Sequence, residues 1–250
     1  MKKIFFVCVT VIALAACKSG SRNGVTVCSK SKIQNITPAK IVPLPKEIDF
    51  EEIANTWKIF AKIPYDSLND HQRDIIDLCE IDDVLMHFYS ASCSWYCGGI
   101  IDTVVASSCK NADQFGNYEG YNTHDWNIYS AWVTNLNNSG VGESITYTFP
   151  GNCPRITTII ILNGYTCDTN DWQDYSRVKK LKMYYDGKPY AILELQDTRD
   201  EQDFKVGLLG YRDIEHPQWT LQFEILEVYP GRKYQNTAIT ELYFDGVDVH

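Results

Sequence analysis

Residues 144–162 read SITYTFPGNCPRITTIIIL, and the two halves of this stretch decide the fold class. In the first half, the apolar residues Ile145, Tyr147 and Phe149 alternate with a serine and two threonines, which is the pattern of a strand with one buried face. The second half, residues 156–162, is almost wholly apolar and β-branched, which is typical of a strand buried on both faces. The stretch therefore predicts two neighbouring strands in a layered β protein.

The alternating pattern continues toward the C-terminus, at residues 181–185, 204–208 and 219–225. The dipeptide Asp186-Gly187 lies between two such runs and is typical of a hairpin turn. About eight strands follow residue 100, and no helical pattern there is long enough for the crossover helices of a parallel sheet. We therefore predict a mainly β fold, an antiparallel β-sandwich over residues 96–250.

The segment before the sandwich, residues 47–95, is predicted to be helical. Within residues 67–89 the apolar side chains recur in steps of three and four, which indicates an amphipathic helix with Ser67 and Asp70 near its start. The segment is too short to bury a core of its own. We therefore expect it to pack on the sandwich.

The N-terminus has the layout of a bacterial lipoprotein signal. Two lysines precede an apolar run over residues 4–16, which is shorter than the roughly 20 residues of a membrane-spanning helix. The run ends in LAAC (14–17), which resembles a lipobox, so we predict a signal peptide over residues 1–16 and lipidation of Cys17. An ordinary cleaved signal is the alternative. Acyl chains on Cys17 would anchor the exported protein to a membrane of the bacterial cell envelope, expected to be the outer membrane.

Residues 17–46 are rich in serine, lysine and asparagine, contain three prolines and show no sustained periodicity. This composition predicts a flexible tether between the anchor and the folded part.

The chain is acidic, with a formal net charge of −9, and removal of the two signal lysines makes the charge −11. Such a charge argues against nucleic acid as a partner and against electrostatic docking on anionic lipid. It leaves neutral glycans open as ligands.

Seven of the nine cysteines remain after Cys8 leaves with the signal and Cys17 is lipidated. Disulfides are the default expectation for an exported protein, and an odd count leaves at least one free thiol. A zinc site is an alternative for three of them, although a C-x3-C spacing without a second pair is a weak signal. The seven are Cys28, Cys79, Cys93, Cys97, Cys109, Cys153 and Cys167, and the three considered for zinc are Cys93, Cys97 and Cys109.

Four motifs occur in order in the second half: HDWNIYSAWV (124–133), NGY (163–165), SRVKKL (176–181) and VYPGRKYQNTAITELYFDG (228–246). Together they resemble the NADase-type glycan-binding domain, a discoidin-like, galactose-binding-like β-sandwich with a jelly-roll fold. The resemblance implies a glycan-binding domain that is not catalytic. The NAD-cleaving domain that accompanies it elsewhere has no room here, so we predict that the protein is not an enzyme.

Related galactose-binding-like domains hold a structural calcium in a loop that starts with Asp-Gly and ends with Thr-x-Trp, completed by a Glu of the last strand. The resemblance places Asp125, Ser130, Trp132 and Glu241 at these positions. Carboxylate and carbonyl oxygens are the ligands that calcium prefers. Trp126 and Ser130 depart from the usual Gly and Thr. The alternative is that Asp125 caps a turn and Glu241 pairs with a cation.

A candidate ligand site surrounds the polar loop at residues 166–174. Sugar recognition uses an aromatic face together with charged and amide groups that bind hydroxyls, which favours Tyr165, Trp172, Arg177 and Lys179. Arg177 and Lys179 lie two residues apart, so they share one face of a strand. The alternative is that Trp172 folds over the rim and that Arg177 pairs with Asp197 or Glu224. The tryptophans Trp95, Trp132 and Trp219 are expected in the core or at its rim.

Two adjacent pairs, His124-Asp125 and Glu215-His216, invite an acid–base interpretation, but neighbouring side chains usually diverge, and no hydrolase or phosphate-loop motif is present. The sequence therefore favours an anchored glycan-binding module. A structural or protein-interaction subunit of an envelope complex, with the same fold and no sugar binding, is the alternative. An unrecognised hydrolase is the third hypothesis.

Overall fold

The computed structural model describes residues 33–44, 50–80, 95–114, 116–135, 139–166 and 169–248. Its strands are β1 (Gln34–Ile36), β2 (Lys40–Val42), β3 (Thr103–Ala106), β4 (Trp132–Val133), β5 (Ser144–Pro150), β6 (Ile156–Asn163), β7 (Ser176–Tyr185), β8 (Lys188–Glu194), β9 (Glu201–Leu209), β10 (Gln218–Tyr229) and β11 (Thr237–Gly246). The helices are α1 (Phe50–Phe60), α2 (Asp70–Glu80) and α3 (Thr169–Asp174), and short 3₁₀ turns lie at Tyr65–Ser67, Trp95–Cys97 and Gly120–His124.

The strands form two layers. Hydrogen-bonded neighbours follow the order β2-β9-β6-β11 in one layer and β8-β7-β10-β5-β3 in the other, with β4 added to β11 and β1 added to β8. The layers join where β11 and β7 run parallel for two residues, Thr237 beside Ser176 and Ala238 beside Arg177. β1 is also parallel to β8, and the other pairs are antiparallel. The predicted mainly β, antiparallel sandwich is confirmed.

The inner faces of the two layers share one apolar core. Phe149 of β5 stacks on Trp219 of β10 with ring centroids 4.3 Å apart, while Phe204 of β9 and Phe244 of β11 enter the same core from the other layer. The predicted core tryptophans are confirmed: their side chains are buried, and each indole N–H donates to a backbone carbonyl, as seen for Trp95, Trp132 and Trp219.

β6 is buried on both faces, as its sequence predicts. Ile159 and Ile161 belong to the core between the layers, whereas Ile160 and Leu162 lie in a second apolar cluster with Tyr243 of β11. The loop after the 3₁₀ turn Gly120–His124 covers this outer face. The outer face of β6 is therefore covered by this loop and is not exposed to solvent.

The hairpin turn between β7 and β8 is confirmed. Tyr185 pairs with Lys188, and the two residues between them, Asp186 and Gly187, have φ angles of +47° and +69°. Positive φ at both central positions is the conformation that an Asp-Gly pair favours, because its twist matches that of the flanking strands.

The flexible tether was predicted to extend from residue 17 to residue 46, but its C-terminal part is folded. Residues 33–44 belong to the sheet: β1 pairs with β8, and β2 pairs with β9. Backbone hydrogen bonds hold these two strands, and their side chains are mostly exposed, so the sequence carries no apolar pattern that would reveal them. The predicted signal peptide, Cys17 and the remainder of the predicted tether lie outside the described residues.

The helical segment contains two described helices. α2 begins after Asn69, whose side chain accepts the N–H of Gln72 while the Gln72 side chain accepts the N–H of Asn69, a reciprocal cap. Asn69 is therefore the capping residue, in place of the expected Ser67 or Asp70. Lys58 of α1 forms an ion pair with Asp171 of α3 at 3.2 Å. The wider packing of the segment on the sandwich stays a prediction.

None of the helices in the described ranges has the length and apolar character needed to cross a membrane.

Three of the seven cysteines have described side chains, and all three are free thiols: Cys97, Cys109 and Cys153. The thiol of Cys153 is buried and bonds with the backbone of Ile100. These three thus take no part in the expected disulfides, and the other four side chains lie outside the described residues. Cys93 is among those four, so the zinc alternative lacks one described ligand.

Candidate functional site

Several loops meet at one end of the sandwich, where β6, β8 and β10 end and β7, β9 and β11 begin. Arg199 donates to the carbonyl of Thr166 at 2.7 Å, and Arg232 donates to Asp174 at 3.0 Å. Tyr165 donates its hydroxyl to the carbonyl of Tyr129 at 3.0 Å. These bonds tie loops that are distant in sequence into one surface, called here the loop end.

The residues of the predicted calcium loop lie together at this end. The N–H of Asn127 donates to Asp125 Oδ1 at 3.0 Å and to Glu241 Oε1 at 2.8 Å, so the two carboxyl groups converge on one donor. Ser130 Oγ donates to Asp125 Oδ2 at 2.6 Å. Trp132 is buried in the core behind the loop. The loop and the last strand therefore bring Asp125, Ser130 and Glu241 into one cluster.

The electrostatics of this cluster favour a bound cation or proton. Burial, and then the neighbouring charge of Asp125, raise the pKa of Glu241 well above its ordinary value, and burial also raises the pKa of Asp125. Glu241 Oε2 is buried without a hydrogen bond of standard geometry, and Glu241 has no ion pair within the described ranges. The alternative in which Glu241 pairs with a cationic side chain is therefore not what the structure has.

These residues fit calcium. A buried carboxyl oxygen without a good hydrogen bond, beside a second carboxyl group, offers the hard oxygen ligands that calcium takes. In the part of the chain that the structure describes, no three His, Cys, Asp or Glu side chains gather as a metal cluster. A calcium ion here would therefore need backbone carbonyl or hydroxyl oxygens as well, as the resemblance implies.

The departure from glycine at position 126 has a structural explanation. Trp126 has a φ of +61°, in the left-handed region that favours glycine and that costs another residue about 1–2 kcal/mol. Its ring stacks on Tyr243 at 4.3 Å and meets Tyr96 edge-on at 4.7 Å. The loop thus has a backbone conformation that glycine would adopt without cost, while the aromatic contacts of Trp126 offset its strain.

The predicted ligand residues Trp172 and Arg177 are also neighbours. Arg177 is buried, and its guanidinium forms two bonds with Asp197 (2.7 and 3.2 Å) and two more with the carbonyls of Trp172 and Tyr175. The guanidinium carbon lies 4.5 Å from the centre of the Trp172 ring. The pairing of Arg177 with Asp197, considered above as the alternative, is therefore the arrangement in the structure.

The backbone of β6 explains how Trp172 is held. Its indole N–H donates to the carbonyl of Asn163 at 2.9 Å, and the Asn163 side chain makes two bonds to the backbone of Val178. Gly164 has a φ of +88°, and a Cβ atom at this position would lie 2.7 Å from the Trp172 ring. The NGY motif thus fixes α3 against β7, which is a structural role.

Lys179 differs from Arg177 in its surroundings. Its side chain is exposed and lies 3.2 Å from Glu227, which Lys180 also contacts at 2.6 Å. Three of the four predicted ligand residues, Tyr165, Trp172 and Arg177, therefore form side-chain hydrogen bonds with other parts of the fold. The fourth, Lys179, forms an ion pair with Glu227, which also pairs with Lys180.

The adjacent acid–base pairs do not form. His124 Nδ1 bonds to the carbonyl of Leu242 at 3.2 Å, whereas Asp125 turns toward Asn127 and Ser130. His216 stacks on Tyr211 with ring centroids 3.6 Å apart, and Glu215 is exposed. Each pair diverges, as expected for neighbouring residues.

Sequence reasoning missed a cleft along the edge strand β3. The cleft has a volume of about 260 Å³ and is lined by Trp95, Tyr96, Gly99, Ile101, Asp102, Thr103, Val104, Tyr121 and His124. Two close backbone approaches build it: a Cβ atom on Gly99 would lie 2.3 Å from the Trp95 ring, and one on Gly120 would lie 2.9 Å from Ala106 of β3. The latter contact places Tyr121 beside β3.

His124 is 8% exposed and lies between this cleft and the aromatic core. Burial lowers its pKa to about 4, so the imidazole is neutral at neutral pH. Since a carbonyl can only accept, Nδ1 carries the proton in its bond to Leu242, and Nε2 is an acceptor.

A larger hollow, of about 550 Å³, lies between α1 and α2. Its polar side chains form hydrogen bonds with one another, as His71 and Glu52 do at 2.8 Å.

Several solved structures are similar to this chain at low sequence identity. CpGH89CBM32-5 from Clostridium perfringens, in complex with GalNAc-β-1,3-galactose, is 16% identical, with a TM-score of 0.40 over 58% of this chain and 94% of that chain. The CBM32-1 and CBM32-2 domains of ZmpB from Clostridium perfringens are 13% identical, with a TM-score of 0.43 over 81% of this chain and 58% of that chain. A GH29 fucosidase from Ruminococcus gnavus, in complex with fucose, is 11% identical, with a TM-score of 0.36 over 72% and 31%.

A comparison with curated proteins found no match, whereas a comparison with protein-family models found one. The model of the NAD glycohydrolase translocation F5/8 type C domain matches residues 95–245, which contain β3–β10, all but the last residue of β11, the cluster of Asp125, Ser130 and Glu241, and the β3 cleft. Since this match covers more than half of the chain, the protein belongs to the family of NAD glycohydrolase translocation F5/8 type C domains, which are discoidin-like β-sandwiches.

Proposed function

We propose that this protein is a lipid-anchored, non-catalytic glycan-binding module of the bacterial cell envelope. The observation that carries the proposal is the family match over residues 95–245, because a discoidin-like domain supports a carbohydrate-binding-like module. The acidic chain is consistent with a glycan partner and argues against nucleic acid.

The absence of catalysis is part of the proposal. Asp125 and Glu241 are neighbouring carboxyl groups, but Glu241 is fully buried, so a substrate bond could not be placed between them without opening the fold. His124 is held by the carbonyl of Leu242 and by aromatic rings rather than by a catalytic partner.

A structural calcium ion is also proposed, held by Asp125, Glu241 and Ser130 with backbone carbonyl groups. When bound, it would neutralise the two converging carboxyl groups and tie the loop after residue 124 to β11. The buried Glu241 Oε2 supports this assignment. The chain's own part is to keep the loop in place through Asn127, whose N–H contacts both carboxyl groups.

The anchor rests on Cys17, which follows an apolar run ending in LAA. We expect Cys17→Ser to release the protein from membranes into the soluble fraction after expression in a bacterial host. Cys8→Ser is the matched control, since Cys8 lies within the predicted signal, and it should leave the protein in the membrane fraction. A Cys17→Ser protein that still requires detergent for release would contradict the anchor.

Glycan binding is tested on an array of bacterial envelope and host glycans with the purified protein. A reproducible signal on a defined group of glycans supports the proposal. A blank array together with capture of one specific envelope protein would favour the alternative of a protein-interaction subunit. That alternative has its own support, because Arg177, Tyr165 and Trp172 use polar atoms within the fold.

A further inference from the structure

We propose that the cleft along β3 binds a single uncharged sugar ring, with Tyr121 as its stacking face. This inference rests on the proposed glycan-binding function and names its site and ligand class. The cleft is separate from the Trp172–Arg177 group, which lies at α3 and the start of β7.

The side chains of the cleft provide an open aromatic face. Tyr121 is 60% exposed, and its hydroxyl makes no hydrogen bond within the described ranges. Its neighbours in the cleft differ, since Trp95 is buried and Tyr96 is half-buried. The apolar C–H face of a sugar ring is a ligand that an exposed aromatic ring takes, with a polar group left for the hydroxyls.

The polar groups of the cleft are mainly acceptors. His124 is nine-tenths buried and lines the cleft, where its ring is held by the bond between Nδ1 and the carbonyl of Leu242. The Asp102 carboxylate accepts one bond from Gln218 at 3.0 Å and has a second oxygen atom free of such a bond. Thr103 adds a hydroxyl group. These acceptors suit a ligand with several O–H or N–H donors.

The charge of the cleft excludes acidic ligands. No lysine or arginine is among the lining residues that the structure describes, and Asp102 adds a negative charge. A carboxylate or phosphate would be repelled, whereas a neutral hexose or N-acetylhexosamine would not.

The size of the cleft limits the ligand to one ring. Its volume of about 260 Å³ lies below the roughly 300–1,000 Å³ of pockets for drug-sized ligands. The remainder of an oligosaccharide would extend along the exposed side of β3, where Val105 is 60% exposed.

The experiment uses saturation-transfer NMR and titration calorimetry with the folded protein. The sugars are the methyl glycosides of glucose, galactose, mannose, N-acetylglucosamine and N-acetylgalactosamine, with methyl glucuronide as the acidic counterpart. We expect at least one neutral glycoside to bind and the glucuronide not to bind. Stronger binding of the glucuronide would overturn the ligand class.

Variants locate the site. Tyr121→Ala should lose roughly tenfold in affinity, the size of one aromatic contact, while Tyr121→Phe should keep most of it. Thr103→Trp, at an exposed position of an edge strand, should fill the cleft and abolish binding. Melting temperatures should stay unchanged for both exposed positions. Ile214→Ala is the control, since Ile214 is 83% exposed and does not line the cleft.

The outcomes separate this inference from the proposed function. If the wild-type protein binds none of these sugars and gives a blank glycan array, the proposed function fails and the inference fails with it. If the wild-type protein binds a sugar and Tyr121→Ala and Thr103→Trp bind it equally well, the cleft is not the site, although the function stands. Loss of binding in Trp172→Ala alone would place the ligand at α3 instead.

Discussion

The indole of Trp126 lies stacked on the ring of Tyr243, with centroids 4.3 Å apart and ring planes inclined by 20°. Tyr243 stands on the outer face of β11, next to Phe244, which points into the core. The contact therefore fastens the loop that carries Asp125 and Asn127 to the last strand. It does so at a residue whose backbone would suit glycine.

A pair of substitutions separates the two effects at this position. Trp126→Gly and Trp126→Ala both lose the stacking, but only glycine is free of the cost of φ +61°. We expect both variants to be less stable than the wild-type protein, and the alanine variant to be less stable than the glycine variant by about 1 kcal/mol. Urea denaturation measures both free energies. An alanine variant as stable as the glycine variant would contradict the assigned strain.

Calcium should stabilise the protein through Glu241. At a calcium concentration of 100 times Kd, we expect a gain of about 2.7 kcal/mol in the free energy of unfolding relative to the protein in a chelator. Glu241→Gln should abolish the gain, because a neutral amide is a poorer calcium ligand. The matched control is Glu215→Gln at an exposed position. Thermal melts with and without calcium give the comparison; a gain retained in Glu241→Gln would refute the assignment.

The calcium-free protein should lose stability as the pH rises. The folded-state pKa values of Glu241 and Asp125 are raised by burial, so the unfolded chain releases these protons first. Their contribution is fully present below the unfolded pKa, near 4.5 for glutamate, and is lost as the pH rises through the raised folded values. In the presence of a chelator, the free energy of unfolding of the wild-type protein should therefore fall more between pH 5 and 8 than that of Glu241→Gln. Denaturant unfolding at several pH values tests this, and a constant difference between the two proteins would count against it.

Substitutions in the Trp172–Arg177 group should mainly lower stability if the group is structural, and mainly lower glycan binding if it is the ligand site. Since Arg177 is buried and bonded to Asp197, we expect Arg177→Ala to destabilise the fold by about 2–4 kcal/mol, mainly through the bonds left unmade. Lys179→Ala, at an exposed position, should change stability by less than about 1 kcal/mol. The measurements are unfolding free energy and glycan binding. If Arg177→Ala and Trp172→Ala lose binding at an unchanged melting temperature, these residues form the ligand site after all.

The N-terminal strands should contribute to stability. A chain beginning at Lys46 lacks β1 and β2, and exposes the edges of β8 and β9 that they cover. We expect it to be less stable than a chain beginning at Ile33 by about 2–5 kcal/mol, given roughly 1 kcal/mol for each backbone hydrogen bond lost. Thermal melts compare the two chains. Equal melting temperatures would show that residues 33–44 add nothing to the fold.

The strands that could be predicted from the sequence are those with buried side chains, because burial requires apolar residues at regular positions. The alternation in β5 and the apolar run of β6 reflect the core directly, and Asp186-Gly187 reflects the twist of its hairpin. β1 and β2 are different, since each has three residues with largely exposed side chains, and backbone pairing with β8 and β9 is the main contact that holds them. Such pairing leaves no pattern in the sequence.

The site shows the same division. The convergence of Asp125 and Glu241 was predictable from the family resemblance, because loop and strand motifs both carry it. The β3 cleft was not predictable, since it depends on how closely Gly99 approaches Trp95 and Gly120 approaches Ala106. The orientation of Arg177 also depends on Asp197, twenty residues away, on a different loop.

The position of β11 has a consequence for folding kinetics. β11 is the final described strand, yet it lies in the middle of the sheet order, between β6 and β7. β5, an early strand, similarly finds its partner β10 more than 65 residues later, with Phe149 beside Trp219. The core between the layers cannot close until β11 is available, so the sandwich should fold slowly. A polypeptide that stays open until its last strand is available is well suited to crossing a membrane unfolded, in agreement with the proposed export.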